Sequence, residues 1–165
     1  MATIAPITKL PQDLRMPGEL LRSDGFLLGK LGLAMKAKAL KAFEEAGFEA
    51  YHYSLLALLD EGDRETQATI ANVLGVDRSQ LVGILDALEE RGLVERRRDP
   101  QDRRRHVVSL TPAGRRQLVK LRGIVGQVED EFFGSLDPQD RAALHRVLLR
   151  LACQHDPRCT LQDAV

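Results

Sequence analysis

The sequence is poor in aromatic residues and in cysteine, and it has no long apolar run. It contains no Trp, and aromatic residues make up 4% of the chain, whereas apolar residues as a whole make up 44%. A core of Leu, Ala, Val and Ile on helical spacings fits this composition. No stretch approaches the ~18 apolar residues of a membrane span, and the N-terminus lacks the apolar core of a signal peptide. We therefore expect a single cytoplasmic domain over residues 1–165.

The two cysteines, Cys153 and Cys159, both lie near the C-terminus. A structural disulfide is not expected in a reducing compartment. Together with His155 they form three possible metal ligands, but no second ligand pair elsewhere in the sequence completes a familiar spacing. The sequence therefore predicts neither a metal site nor a cofactor.

Motifs of the common enzyme classes are also missing from the sequence. There is no Gly-rich phosphate loop, no GxSxG turn and no HExxH helix. An enzyme would need a nucleophile paired with a base, or a metal cluster, in a pocket. No spacing of residues indicates such a set, so the protein is predicted not to be an enzyme.

Charge is balanced over the whole chain but unevenly distributed along it. The formal net charge is zero, yet residues 91–122 contain eleven Lys or Arg and three Asp or Glu. This segment therefore carries +8 and the rest of the chain −8. Concentrated positive charge is typical of proteins that bind a phosphate backbone. A solvated basic face would have the same composition.

Apolar spacing and capping residues predict a mainly helical chain. After an irregular arm at 1–18, helices are predicted at about 19–46, 51–61, 66–74, 77–92, 111–133 and 137–154. The last helix has one apolar stripe, expected to be buried: Leu144, Val147, Leu148 and Leu151. Residues 93–98 and 103–110 flank a turn with Asp and Pro and predict a β-hairpin. The third and fourth helices, joined by a turn with Gly75, predict a helix-turn-helix.

The second helix of this unit begins with polar residues. Asp77 is a good N-cap, and the residues after it, Arg78, Ser79 and Gln80, can reach bases or phosphates in a major groove. The arginine-rich hairpin suits the negative potential of a minor groove. Because side chains alternate along a strand, Arg97 points away from Arg96 and Arg98, so the three cannot all face DNA.

Several segments resemble, in the same order, signatures of the MarR family of winged helix-turn-helix regulators. They are residues 66–68, 70–71, 74–79, 88–96, 99–104 and 110–114. The resemblance covers about residues 25–152. Its most specific part is the hairpin with Asp102-x-Arg104, which runs into Leu110-Thr111-Pro112-x-Gly114.

The resemblance implies a homodimer joined by the N- and C-terminal helices, 19–46 and 112–155, with a winged helix-turn-helix lobe at 50–110. It implies that Arg104 enters a minor groove and that Asp102 braces the wing. Family members often carry Thr and Arg where this chain has Val82 and Gly83, so its hydrogen bonds to bases are expected to be fewer. The predicted DNA-binding residues are Arg78, Ser79, Gln80, Val82, Gly83, Arg97, Arg98, Asp102, Arg103, Arg104 and Arg105.

The resemblance also implies a pocket for a small aromatic or amphipathic effector. The residues predicted to line it are Met35, Tyr51, His52 and Tyr53, although an aromatic cluster at a helix start is also typical of core packing. The favoured function is a repressor that leaves a pseudo-palindromic operator when the effector binds. An activator, a ligand-independent regulator and a protein-interaction winged helix without DNA binding are the alternatives.

Overall fold

A computed structural model describes residues 15–62, 65–98 and 106–159. As predicted, the chain is mainly helical with a small β-sheet. The helices are α1 (Gly18–Leu21), α2 (Asp24–Glu45), α3 (Ala50–Gly62), α4 (Gln67–Leu74), α5 (Arg78–Glu90), α6 (Pro112–Phe133) and α7 (Pro138–His155). The strands are β1 (Glu65–Thr66), β2 (Val94–Arg98) and β3 (His106–Leu110). None of these helices has the length and apolarity needed to cross a membrane.

The chain forms two compact units, one ending at Ala37 and one beginning at Lys38, so the boundary falls within α2. The prediction of one continuous helix over residues 19–46 is wrong, because α1 and α2 are separate helices. The Ser23 hydroxyl accepts the backbone N–H of Phe26 at 3.3 Å and caps the second helix. Serine binds nearby backbone groups in this way and so competes with continuation of a helix.

The predicted starts of helices α4, α5, α6 and α7 are confirmed. Each of these helices begins after a residue whose side chain accepts a backbone N–H from the first turn, which satisfies a donor that has no partner within the helix. These residues are Thr66, Asp77, Thr111 and Asp137. Helix α4 ends at Gly75, which has a φ of 64° and so adopts the left-handed conformation that favours glycine. The helix-turn-helix is thereby defined by local interactions.

The three strands form one antiparallel sheet in the order β1-β3-β2. In the register of the hairpin, Val94 pairs with Leu110 and Arg98 with His106, so the predicted hairpin is confirmed between its strands. Its tip, residues 99–105, lies outside the described residues. The sequence did not predict β1, because two residues are too short to show an alternating pattern.

The core of the second unit forms between α3, α4, α5, α6 and the sheet. Helix α5 contributes its predicted apolar face, which comprises Leu81, Ile84, Leu85 and Leu88. The core also includes Leu55, Leu56, Leu59, Ile70, Val94, Val108, Leu118 and Leu121. Burying one face of α5 in this core fixes its rotation, so its opposite face is turned to solvent.

Helix α7 differs from the prediction, because it has no buried residue in the described chain. Val147, Leu148 and Leu151 are 43%, 37% and 39% exposed, although the sequence predicted a buried stripe. The spacing correctly placed these side chains on one face. The described elements of this chain do not cover that face.

Candidate nucleic-acid interface

Helix α5 presents a polar surface at its N-terminal end. The five α5 residues predicted to bind DNA, Arg78, Ser79, Gln80, Val82 and Gly83, are all exposed. The carboxylate of Asp77 accepts the N–H of Gln80 at 2.8 Å and fixes the first turn. A rigid helix that exposes polar side chains in its first turn has the form that reads a major groove.

The second turn of α5 is less polar. Val82 is 38% exposed, and a Cβ added to Gly83 would meet no atom within 4 Å. The space beside Gly83 is therefore open, and the helix shows bare backbone there. This surface offers an apolar contact, such as one to a thymine methyl group, but no hydrogen-bonding side chain at these two positions.

A groove of about 590 Å³ runs beside the first turn of α5. It is lined by Thr66, Gln67, Ala68, Ala71, Asn72, Arg78, Leu81 and His106. The groove therefore joins the first turns of α4 and α5 to the start of β3. Arg78 places a cation on the wall of this groove, and the N–H groups of Thr69 and Gln80 in the two first turns are bound by the caps Thr66 and Asp77.

Two arginines of the wing are accessible. The side chain of Arg97 is 72% exposed, and its Nη2 lies 2.8 Å from Oε2 of Glu95. Arg98 is also exposed, opposite His106 in the sheet. The other predicted wing residues, Asp102, Arg103, Arg104 and Arg105, lie outside the described residues, so their roles stay predictions.

Arg96 lies on β2 with Arg97 and Arg98, but its side chain binds helix α5 and does not extend into solvent. Its Nε donates to Oε2 of Glu89 at 2.8 Å, and its Nη2 lies 2.7 Å from Oδ1 of Asp86. The Arg96 hydrogen bonds hold the pKa of Glu89 below its ordinary value. Sequence reasoning missed this brace: Asp86 and Glu89 share a helix face, but that spacing does not name their partner.

Other arginines of the basic segment also stabilise the fold. The guanidinium of Arg91 stacks 4.6 Å from the centre of the Phe48 ring. Asp60 on α3 accepts hydrogen bonds from Arg115 at 2.8 Å and from Arg122 at 3.0 Å, both on α6. The net charge of the segment therefore overstates the positive charge that is free to face DNA.

The Leu-Thr-Pro-x-Gly segment fixes the start of α6 against the end of the helix-turn-helix. The Thr111 hydroxyl donates to the carbonyl of Gly92 at 2.7 Å. A Cβ added to Gly114 would lie 2.1 Å from the carbonyl oxygen of Leu93 and 2.6 Å from Leu110 Cδ2. Only glycine allows this close approach, which explains the presence of Gly114 in the motif.

His52, one of the predicted effector residues, is buried and serves the fold. Its Nδ1 accepts the backbone N–H of Glu49 at 3.0 Å, which caps α3. Its ring meets Phe48 edge to face at 6.0 Å between centroids. Burial lowers the pKa of His52 from its ordinary value, so the ring favours its neutral form.

The remaining predicted effector residues lie in both units. Tyr53 is half-buried and stacks on Phe43, with ring centroids 5.6 Å apart. Tyr51 is 39% exposed at the start of α3. Met35 is half-buried on the part of α2 that belongs to the first unit. Their part in effector binding stays a prediction.

The C-terminal cysteines are free thiols. The thiol of Cys153 contacts the backbone carbonyl of Cys159. Within the described ranges, no group of three or more His, Cys, Asp or Glu side chains is placed to hold a metal ion. Cys153, His155 and Cys159 therefore do not assemble into a site here.

The chain is similar in sequence and in structure to transcriptional regulators. A model of the MarR family matches residues 49–106. A putative transcriptional regulatory protein for the hcr operon of Thauera aromatica is 29% identical over 135 residues, covering 77% of this chain and 81% of that protein. A solved transcriptional regulator (MarR family) from Rhodococcus sp. RHA1 is 32% identical, with a TM-score of 0.68, and covers 78% of this chain and 91% of that one.

A second solved structure shows a regulator on DNA. The transcriptional repressor CouR, bound to a 23-mer DNA duplex, is 35% identical to this chain with a TM-score of 0.73. The similarity covers 86% of this chain and 99% of that one. CouR from Rhodococcus jostii RHA1 has also been solved with p-coumaroyl-CoA bound.

Proposed function

The chain belongs to the MarR family of transcriptional regulators, and we propose that it binds operator DNA through α5 and the wing formed by β2 and β3. The exposed polar first turn of α5 carries this proposal, because the core holds the opposite face of the helix. The similarity to CouR, which was solved on a DNA duplex, supports it.

Each part of the interface has a distinct role in the proposed complex. Helix α5 enters the major groove, where Arg78 binds a guanine or a phosphate and Gln80 binds an adenine. The groove that joins α4, Arg78 and His106 takes a backbone phosphate. Arg97 and Arg98 add positive charge beside the duplex. Phosphate contacts of this kind fix the register, while base contacts supply specificity.

We propose that the operator-binding form is a homodimer. Val147, Leu148 and Leu151 form an open apolar stripe on α7, and Val119 on α6 is 66% exposed. A second copy would remove these side chains from water, and apolar interfaces of this kind are typically obligate. Dimer symmetry then requires two half-sites about one helical turn apart. A clean monomer at micromolar concentration in light scattering would contradict the dimer.

We further propose that the dimer is a repressor released by a small effector. CouR, a repressor, has been solved with p-coumaroyl-CoA, which makes an aromatic acid or its CoA thioester a reasonable class to test. The effector must bind the DNA-competent and DNA-incompetent states with different affinities. The exposed ring of Tyr51 is the contact that we propose for it in the second unit.

The decisive experiment selects bound duplexes from a random DNA library with the purified protein. We expect a pseudo-palindromic sequence to be enriched, and a phenolic acid or its CoA thioester to release it. If Arg78 and one of the two exposed strand arginines, Arg97 or Arg98, each neutralise one phosphate in both protomers, the log–log salt slope should be about −4. Arg78→Ala should weaken binding to the selected duplex more than Arg116→Ala, a charge-matched change at an exposed position on α6. Failure to enrich any sequence would contradict operator binding.

A further inference from the structure

The segment that follows α7 folds into a turn held by Asp156 and Arg158. The N–H of Asp156 binds the carbonyl of Ala152 at 2.8 Å, and the N–H of Cys159 binds the carbonyl of Asp156 at 2.9 Å. The guanidinium of Arg158 donates from Nε to Oδ1 of Asp156 at 2.9 Å and from Nη2 to Oδ2 at 2.7 Å. These hydrogen bonds lower the pKa of Asp156 to about 2. Such a two-point pair fixes the orientation of the guanidinium.

The third nitrogen of this guanidinium reaches the end of helix α4. Nη1 of Arg158 donates to the carbonyl oxygens of Asn72 and Val73, at 3.3 Å each. The last carbonyls of a helix lack amide partners within the helix and carry partial negative charge. A cation at this position supplies the missing hydrogen-bond donor and balances the partial negative charge.

The contact falls on the turn that sets the direction of α5. Gly75, Val76 and Asp77 connect α4 to α5, and Asp77 caps α5. A Cβ added to Gly75 would lie 2.9 Å from Nη1 of Arg158, so the guanidinium fits against the turn because residue 75 has no side chain. The C-terminal segment therefore touches the helix-turn-helix at its joint.

We propose that Arg158 is a positioning residue that holds the turn between α4 and α5, and with it the DNA-reading end of α5, in the binding orientation. This inference rests on the proposed DNA-binding function. Arg158 acts through the carbonyls of Asn72 and Val73 and does not touch DNA itself. Since the segment follows directly on α7, the contact also links the proposed dimer helix to the DNA-reading unit.

The expected effect follows from the population of binding-competent protein. Without Arg158, the turn has additional orientations, and the apparent affinity falls in proportion to the competent fraction. A cation at a helix C-terminus shifts such an equilibrium about two- to fivefold. We therefore expect Arg158→Ala to weaken binding to the selected duplex about two- to fivefold per half-site.

The control is Arg150→Ala, which removes the same charge from an exposed position on α7. Both variants are measured on the selected duplex and on a scrambled duplex of equal length. A positioning role lowers the ratio of the two affinities for Arg158→Ala only, since scrambled DNA needs no exact orientation of α5. Equal ratios for the two variants would overturn the proposal.

Hydrogen exchange gives a readout that does not depend on DNA. In Arg158→Ala, amides of residues 70–78 should exchange faster, while the rest of the chain matches Arg150→Ala. Asp156→Ala should show the same local effect, and the double variant should be no worse than Arg158→Ala, because both changes remove one contact. Faster exchange throughout the chain, or unchanged exchange at 70–78, would refute the role. If no duplex is enriched by the wild-type protein, operator binding fails, while the exchange comparison still tests the Arg158 contact.

Discussion

Replacing Arg96 with Ala should destabilise the protein more than replacing Arg97, its neighbour on the same strand. Arg96 bridges β2 to Asp86 and Glu89 on α5, and its side chain is 24% exposed. Arg97 is 72% exposed and pairs with Glu95 two positions away. The two variants lose the same side chain from adjacent strand positions, so one is a close control for the other.

The magnitudes follow from geometry and exposure. The Arg96 brace combines charge-assisted hydrogen bonds to two carboxylates, but those carboxylates are 50% and 38% exposed, so solvent screens them. We expect Arg96→Ala to lower the free energy of unfolding by about 1–2 kcal/mol. An exposed pair such as Arg97 with Glu95 is worth about 0–0.5 kcal/mol. Urea unfolding at one fixed protein concentration measures both, since dimer stability depends on concentration.

The brace also has a pH signature. The folded pKa of Glu89 is lowered by Arg96 from an ordinary value of 4.5. The stabilisation that the Glu89 carboxylate gives the folded state is therefore fully present above pH 4.5 and is lost as the pH falls through the lower folded pKa of Glu89. The stability difference between wild type and Arg96→Ala should narrow in that range.

On DNA the order should reverse: Arg97→Ala should change binding more than Arg96→Ala. Arg97→Ala removes an exposed cation whose partner, Glu95, lies on the same strand, so the salt slope should become shallower by about 2 per dimer if Arg97 touches phosphate in both protomers. Arg96→Ala should leave the slope unchanged, because Asp86 and Glu89 hold the Arg96 side chain against α5, where it is 24% exposed. Equal unfolding free energies for the two variants, or a shallower slope for Arg96→Ala, would refute this division of roles.

Three other changes test the fold and the interface. Gly114→Ala should destabilise the protein by about 3 kcal/mol or more, because its Cβ would lie 2.1 Å from the Leu93 carbonyl oxygen. Gly123→Ala is the control: a Cβ there meets nothing within 4 Å, so it should stabilise the protein by up to about 1 kcal/mol. Equal effects of the two changes in thermal unfolding would contradict this account. The free energy of unfolding should fall as the pH drops below about 6.5, because burial lowers the folded pKa of His52 and the unfolded chain therefore takes up the proton more readily. If His52→Gln has the same pH profile as the wild type, His52 is not the cause. Gln80→Ala should lose about 1–3 kcal/mol of binding on the selected duplex and less on scrambled DNA, and an equal loss on both would make Gln80 a backbone contact.

The elements that sequence reasoning predicted well are those defined by neighbours in the chain. Thr66 and Asp77 cap helices through the next turn, and Gly75 ends a helix through its own backbone angle. The apolar spacing of α5 likewise defines its buried face. In each case, the interaction spans only a few residues, so the pattern is visible without the fold.

The features that it missed depend on distant parts of the chain. Nothing near Arg96 in sequence shows that it binds Asp86 on another element, and Arg158 gives no sign that it reaches Asn72. The strand β1 exists because Glu65 pairs with Val108. The net charge of a segment is misleading for the same reason, because it counts a basic residue equally whether that residue pairs with a carboxylate of the fold or faces solvent.

In the proposed complex, the surface of α5 determines how the regulator discriminates between operators. Its first turn offers hydrogen-bonding side chains at Arg78 and Gln80, whereas its second turn offers Val82 and the open backbone at Gly83. Each good two-point contact to a base contributes about 1–3 kcal/mol of discrimination, and Val82 and Gly83 can make none. Few base contacts leave a modest gap between specific and non-specific affinity. Further discrimination must then come from sequence-dependent groove width and flexibility, to which wing arginines respond.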